Sequence, residues 1–290
     1  MAGANPDSSG GASDSSGGGN VLTRMLVATG GSEPSLSALR FALYLARTAS
    51  SRVEALIVED IRLPPAALFA HGDSLVRLMR QTESLAAYAW NETERRVRRI
   101  ADEHGVPITI RRETGRVADL VTAAGRSASL VILGRRGCRA EHGGLLGSNT
   151  ELIVRRTEKP LLLAPDEFRA PSRVVVAYGG KEMGAHALEM GVVLADTLKL
   201  PLAILTVAGD TRQGDEVQER ARRLQPALSS RASFEHDGGD VAPTILRRAT
   251  AETLLIMGAY GHSRLYRMAL GSVTEQVMRE AIGPLLLSRR

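Results

Sequence analysis

One block of this chain is written twice, and that repetition restricts the fold more than any other property of the sequence. The run Arg24-Met-Leu-Val-Ala-Thr-Gly-Gly-Ser-Glu33 matches Arg173-Val-Val-Val-Ala-Tyr-Gly-Gly-Lys-Glu182 at an offset of 149 residues. The offset holds without a gap through Ala38 and Ala187, Leu45 and Leu194, and Val58 and Val207. A second block repeats at an offset of 124. Gly115-Arg-Val-Ala118 matches Gly239-Asp-Val-Ala242, Gly134 matches Gly258, and the match runs on to Leu163 and Leu287. The offsets differ by 25 residues, so the first copy carries one insertion between Val58 and Gly115. That segment holds Pro64-Pro65 and a long helical pattern near 75–104.

Each copy has the pattern β-α-β-α-β-α-β-α-β. Strands are expected near 24–29, 52–58, 107–112, 129–134 and 160–164, and again near 173–178, 201–207, 231–236, 253–258 and 284–288. Leu130-Val-Ile-Leu133 and Leu254-Leu-Ile-Met257 are unbroken aliphatic runs, which suit strands buried on both faces of a parallel sheet. Their alternation with helical patterns implies βαβ units. The expectation is an α/β protein with two tandem five-stranded open parallel sheets flanked by helices. The domains are placed at 22–166 and 172–290. Residues 1–21, mostly Gly and Ser, are expected to be a disordered leader with nothing to bury.

Composition agrees. Hydrophobic residues make up 43% and aromatics only 3%, so the cores must be packed by Leu, Val, Ile and Ala. The net charge of +5 would suit nucleic acid, but the arginines alternate with acids, as in Glu92, Glu94, Arg95, Arg96, Arg98, Arg99, Asp102 and Glu103. That spacing describes a solvated helix face, and nucleic acid is not the expected partner. A single cysteine, Cys138, allows no internal disulfide and suits a reducing compartment. No apolar run approaches the roughly 18–20 residues that a membrane helix needs.

In an open α/β sheet, ligands bind beyond the carboxyl ends of the strands. After strand four the first copy has Gly134-Arg-Arg-Gly137, nine residues, then Gly147-Ser148. The second has Gly258-Ala-Tyr-Gly261, nine residues, then Gly271-Ser272. The leading glycines would let backbone approach a ligand. Gly-Ser at the start of the last helix would offer a serine cap and free N–H groups to an anion. The plainer alternative is a pair of tight turns with N-caps. Arg135, Arg136 and Arg139 in the first loop, and Arg264 and Arg267 in the second, could add positive charge.

The spacing Gly-x2-Gly-x9-Gly-Ser after a fourth strand resembles the nucleotide loop of the universal stress protein family. Leu146-Gly-Ser-Asn-Thr-Glu-Leu-Ile-Val154, Gly258-Ala-Tyr-Gly-His-Ser263 and Leu270-Gly-Ser-Val-Thr-Glu275 are similar to stretches of its tandem bacterial members. The resemblance spans nearly all of 22–290. It implies a Rossmann-like fold related to the adenine nucleotide alpha hydrolases, a cytoplasmic role in stress, dimers, and in many members ATP or AMP binding. Carried over onto this sequence, the nucleotide-binding positions are Thr29, Gly30, Val58, Gly134, Gly137, Gly147, Ser148 and Asn149 in the first copy. In the second they are Tyr178, Gly179, Val207, Gly258, Gly261, Gly271, Ser272 and Val273. Val58 and Val207 would stand on the adenine side, and the second copy, with Val273 where the first has Asn149, is the nearer to the family pattern. One departure stands out. ATP-binding members carry Asp at the end of strand one, where this chain has Gly30 and Gly179. The missing carboxylate leaves Mg²⁺-assisted ATP binding without its expected support.

Other chemistry is less well supported. Thr29-Gly-Gly-Ser-Glu-Pro-Ser35 superficially resembles the loop of ATP pyrophosphatases, but Glu33 and Pro34 break that pattern and the second copy departs further. There is no Gly-Lys-Ser/Thr phosphate loop. The six histidines, His71, His104, His142, His186, His236 and His262, form no metal-ligand spacing. No catalytic triad recurs in both copies. Glu151 and Glu275 recur just inside the last helix, where negative charge suits the helix dipole. The expected function is a cytoplasmic sensor or regulator that binds an adenine nucleotide or another phosphate ligand without turnover. The alternatives are an interaction protein with degenerate pockets and a weak ATP-hydrolysing enzyme. The apolar last strands, 160–164 and 284–288, would be sheet edges in need of partners. The two copies are expected to pair there, two chains could dimerise further, and a protein partner is left unnamed.

Overall fold

A computed structural model describes residues 22–59, 72–136, 146–181, 184–259 and 271–289, apart from the side chains at 72, 75–84 and 86. The first copy runs β1 (Arg24–Ala28), α1 (Glu33–Ala49), β2 (Arg52–Glu59), α2 (Gly72–His104), β3 (Ile108–Thr114), α3 (Val117–Gly125), β4 (Leu130–Gly134), α4 (Ser148–Arg156) and β5 (Leu161–Ala164). The second runs β6 (Arg173–Ala177), α5 (Ala185–Leu198), β7 (Leu202–Val207), α6 (Thr211–Leu224), the one-turn α7 (Leu228–Arg231), β8 (Ala232–Asp237), α8 (Val241–Arg248), β9 (Thr253–Gly258), α9 (Ser272–Glu280) and β10 (Leu285–Ser288).

Among the described residues the strands form one sheet in the order β3-β2-β1-β4-β5-β10-β9-β6-β7-β8. Each copy supplies five parallel strands, and the halves meet where β5 and β10 run antiparallel. Leu285, Leu286 and Leu287 stand opposite Leu163, Leu162 and Leu161. The two expected sheets are therefore continuous edge to edge. All six leucines are fully buried, each a side chain whose removal from water stabilises by roughly 1.5–3 kcal/mol.

Alternation along the strands sends side chains to two cores, one on each face of the sheet, and each core runs through both copies. Leu162 and Leu286 join the first, with Leu39 and Phe41 of α1, Val97 and Ile100 of α2, and Leu188 and Leu194 of α5. Their neighbours Leu161, Leu163, Leu285 and Leu287 join the second, with Val121, Ile153, Ile245 and Val277 from α3, α4, α8 and α9. The connection between the copies is packed down as well. Phe168 sets its ring edge-on against Phe41, with centroids 4.7 Å apart, and lies beside Tyr44.

The structure narrows the insertion. Gly31 faces Thr93 in the first copy, and Gly180 faces Val217 in the second. Thr93 and Val217 already stand at the 124-residue offset, so the extra residues lie between Val58 and Thr93. The first turns of α2 are part of them: α2 has 33 residues where α6 has 14. No helix of the described residues is long and apolar enough to cross a membrane.

Candidate functional site

The chain passes from β1 to its neighbour β2 on one side and returns through β4 on the other, so the sheet order reverses between β1 and β4. The second copy reverses between β6 and β9. These are the switch points at which an open α/β sheet leaves a crevice above its strand ends. Because β5 and β10 are antiparallel, the two crevices lie at opposite ends of the sheet.

In the first copy the loop after β1 holds itself together. Thr29 is buried, and its hydroxyl lies 3.1 Å from that of Ser35. Ser35 Oγ accepts from the Gly30 amide at 3.3 Å and donates to the Ser32 carbonyl at 2.8 Å. Gly31 turns the chain with φ of 81°, and its carbonyl accepts from Arg96 Nη1 of α2 at 2.7 Å. The second copy repeats the device: Gly180 has φ of 76° and accepts from Arg220 Nη1 of α6 at 3.0 Å. Sequence reasoning missed this arginine pair, although Arg96 and Arg220 keep the 124-residue spacing.

The loop after β4 meets this turn from the other side. A Cβ on Gly134 would lie 2.6 Å from the Pro34 carbonyl oxygen, so Gly134 is required by its packing on the first turn of α1. That contact gives this glycine a packing reason of its own, beside any ligand. The Gly134 carbonyl accepts from Thr150 Oγ1 of α4 at 3.1 Å, and the Arg135 carbonyl accepts from the Gly147 amide at 3.1 Å. The start of α4, the end of β4 and the β1 turn are thus brought together.

The helix starts also differ from expectation. Gly147 and Gly271 are the N-caps, with φ of −70° and −63°, and neither α4 nor α9 has a side-chain cap. Ser148 and Ser272 are the first helical residues, and both are exposed. Their hydroxyls do not cap. The first amides of each helix lack intrahelical acceptors by position, and they start beside the strand ends.

The remaining positions fall into three groups. Thr29 and Tyr178 are 3% and 2% exposed, so they belong to the loop packing, with their amides donating to the Leu56 and Leu205 carbonyls. Burial pushes the Tyr178 phenol up, with Arg220 acting weakly against it. Gly30, Gly179 and Gly271 have nothing within 4 Å of where a Cβ would stand, and none has a positive φ. These are positions where the fold would accept a larger residue. Val58 and Val207 are half-buried at the ends of β2 and β7, on the same face as Ala28 and Leu146 in the first copy and Ala177 and Val273 in the second. Asn149 is half-buried at the start of α4, and Gly258 half-buried at the end of β9. Gly137, Gly261, Cys138, Arg139, His71, His142, His262, Arg264, Arg267 and Pro64-Pro65 lie outside the described residues.

Of the first-loop arginines, Arg135 and Arg136 have partners away from the crevice. Arg136 pairs with Asp166, just past β5. Arg135 is 7% exposed and donates from Nη2 to the Gly283 carbonyl of the second copy at 2.8 Å. Burial, with Arg136 alongside, pulls its guanidinium down to about 10. Arg289 crosses the other way, donating to the Thr157 and Val154 carbonyls at the end of α4. Glu151 and Glu275 hold Arg155 and Arg279, each at 2.9 Å, and Arg155 also lies 4.0 Å from Glu275 across the two copies. Among the described residues there is no cluster of three His, Cys, Asp or Glu that could hold a metal ion.

Comparison with known proteins agrees with this architecture. The model of the Universal stress protein family matches residues 22–165 and again 171–289. A universal stress protein of Synechocystis is 28% identical over 292 residues, covering 92% of this chain and all of that protein. One of Mycolicibacterium smegmatis is 25% identical, covering 91% and 96%. Among solved structures, a universal stress protein from Archaeoglobus fulgidus has the same fold, with a TM-score of 0.70 at 20% identity over 93% of this chain and 99% of that one. With both halves matched in full and the sheet order alike in each, the chain belongs to the universal stress protein family, in tandem form.

Proposed function

We propose that each copy binds an adenine nucleotide, or another phosphate-bearing ligand, at its strand-order reversal, and that the chain acts as a stress sensor or regulator in the cytoplasm. The observation that carries this reading is the open space at the Cβ positions of Gly30, Gly179 and Gly271, where the fold itself asks for no glycine. Open space beside unpaired helix amides suits a phosphate group. The half-buried Val58 and Val207 offer an apolar shelf for a base. In the first copy the phosphate rests on the backbone of Gly30, Gly147, Ser148 and Asn149, with the Ser148 hydroxyl free to join. In the second it rests on Gly179, Gly271, Ser272 and Val273. Gly134 and Gly258 set the position of these loops, and Gly137 and Gly261 complete the spacing. Thr29 and Tyr178 contribute backbone only.

The end of β1 offers a hydroxyl and amides but no carboxylate, so a Mg²⁺ ion has no anionic ligand there. Binding is therefore independent of Mg²⁺, and ATP and AMP differ little in affinity. The domains, 22–166 and 172–290, stay paired along β5 and β10 as a pseudo-dimer within one chain, and two chains dimerise further.

The test is to identify any co-purifying nucleotide by mass spectrometry and to titrate ATP, ADP and AMP with and without Mg²⁺. Saturable binding unchanged by Mg²⁺ supports the reading. An absence of binding at millimolar nucleotide would favour an interaction protein with degenerate pockets, and release of phosphate from ATP would favour an enzyme.

A further inference from the structure

A cavity of about 600 Å³ lies between the two copies, beside the end of β4. Its wall from the first copy is the end of β4 and the segment after β5, including Arg135, Pro165 and Asp166. Its wall from the second is the end of α9 and the approach to β10, including Arg279, Ala281 and Ile282. That volume suits a small molecule.

Glu280 also lines it, so four arginines face three carboxylates among its lining residues. Arg136 pairs with Asp166, Arg169 with Glu167 at 3.2 Å, and Arg279 with Glu275 at 2.9 Å. Arg135 has no carboxylate among the described residues. Arg135 lines the cavity, its Nη2 meets the neutral Gly283 carbonyl, and its buried Nε has no hydrogen-bond partner. A buried arginine beside a second guanidinium is an unfavourable arrangement unless an anion completes it. Pro165, Ala281 and Ile282 give the same cavity an apolar side, and Ile282 is 65% exposed with no burial in the core to explain it.

We propose that this cavity is a binding site for a small organic oxyanion. Its phosphate or carboxylate head meets the Arg135 guanidinium, and its short aliphatic body lies on Pro165, Ala281 and Ile282. The site is distinct from the two nucleotide sites. It stands at the seam of the two copies, and Arg135 ties it to the first loop, because the Arg135 carbonyl holds the Gly147 amide.

The test titrates the full chain with inorganic phosphate, isobutyl phosphate and isovalerate by calorimetry. An organic anion binds more tightly than inorganic phosphate. Preference for isobutyl phosphate identifies a phosphate head, and preference for isovalerate a carboxylate. Arg135→Gln and Ile282→Glu each weaken that binding by roughly tenfold or more. A Gly147→Val, Gly271→Val double variant leaves it unchanged, which separates this site from the nucleotide reading. Ile282→Glu alters an exposed rim and leaves the fold intact, so it decides the matter even if Arg135→Gln fails to fold. Binding that survives Ile282→Glu, or no binding by any of the three probes, overturns the proposal.

Discussion

The two copies use one scaffold and solve the same local problems with different chemistry. Arg96 and Arg220 hold equivalent glycine carbonyls in equivalent turns. Beside them the copies part. Glu94 in the first copy receives Arg98 and Arg112 in a charged network; the equivalent positions in the second are Gln218, Arg222 and His236. Gln218 donates to the Glu235 carbonyl at 3.1 Å, and Arg222 stacks over Phe234 at 3.9 Å. At the seam, Arg135 stands where the second copy has Ala259, Lys159 where it has Gly283, and Pro165 where it has Arg289. The glycine turns and the leucine strands of the seam are held in common, whereas Arg135, Lys159 and Pro165 beside the seam have no counterpart in the second copy. A repeated domain whose copies face each other across one seam can assign each side a different task there.

The sharpest way to break this comparison is to make the seam symmetric. A Cβ on Gly283 would lie 2.2 Å from the Thr250 carbonyl oxygen, which no side-chain movement can relieve. Gly283→Ala is expected to lower stability by about 3 kcal/mol in urea unfolding, against about 0.5 kcal/mol or less for Lys159→Ala. Tolerance of Gly283→Ala would show that the two sides are interchangeable. A smaller loss follows from Arg289→Ala, which strips both charged donors from the carbonyls at the end of α4. The expected cost is about 2 kcal/mol. An unchanged unfolding midpoint would remove Arg289 from the seam.

The smallest effect separates the two helix faces. Hydrogen bonds from Arg98 and Arg112 hold the Glu94 carboxyl below its ordinary value of 4.5. A carboxyl depressed in the folded state adds stability above its unfolded pKa and loses it as the pH falls through the folded one. Glu94→Gln, which copies the second domain, is therefore expected to cost up to about 1 kcal/mol at neutral pH, since both arginines are partly exposed. The difference from wild type should close as the pH drops below 4.5. A pH-independent difference would mean that packing, not charge, sets it.

Much of the fold was legible in the sequence because it is written locally. Aliphatic runs such as Leu130–Leu133 marked strands buried on both faces, and the offsets of 149 and 124 aligned the copies. The site was legible less evenly. Its position followed from the loop spacing, but the duties of individual residues did not. Gly134 owes its identity to Pro34, a contact that spacing cannot reveal. Gly147 rather than Ser148 is the cap because the chain enters α4 one residue earlier in extended form. Arg135 stands by its spacing in the first nucleotide loop, yet its side chain reaches the Gly283 carbonyl, 148 residues away. Local chemistry shows in a sequence, while long-range partnership shows only once the chain is folded.

The central claim is that the phosphate-holding backbone occurs twice, once at each switch point. Calorimetric titration of AMP, without Mg²⁺, tests it most directly through the stoichiometry. Two nucleotides are expected per wild-type chain, one for Gly147→Val, one for Gly271→Val and none for the double variant. At Gly271 the added Cβ meets open space, with nothing within 4 Å, so the cost expected of Gly271→Val is that of a poorer N-cap. A double variant that still binds nucleotide with wild-type stoichiometry would contradict the claim.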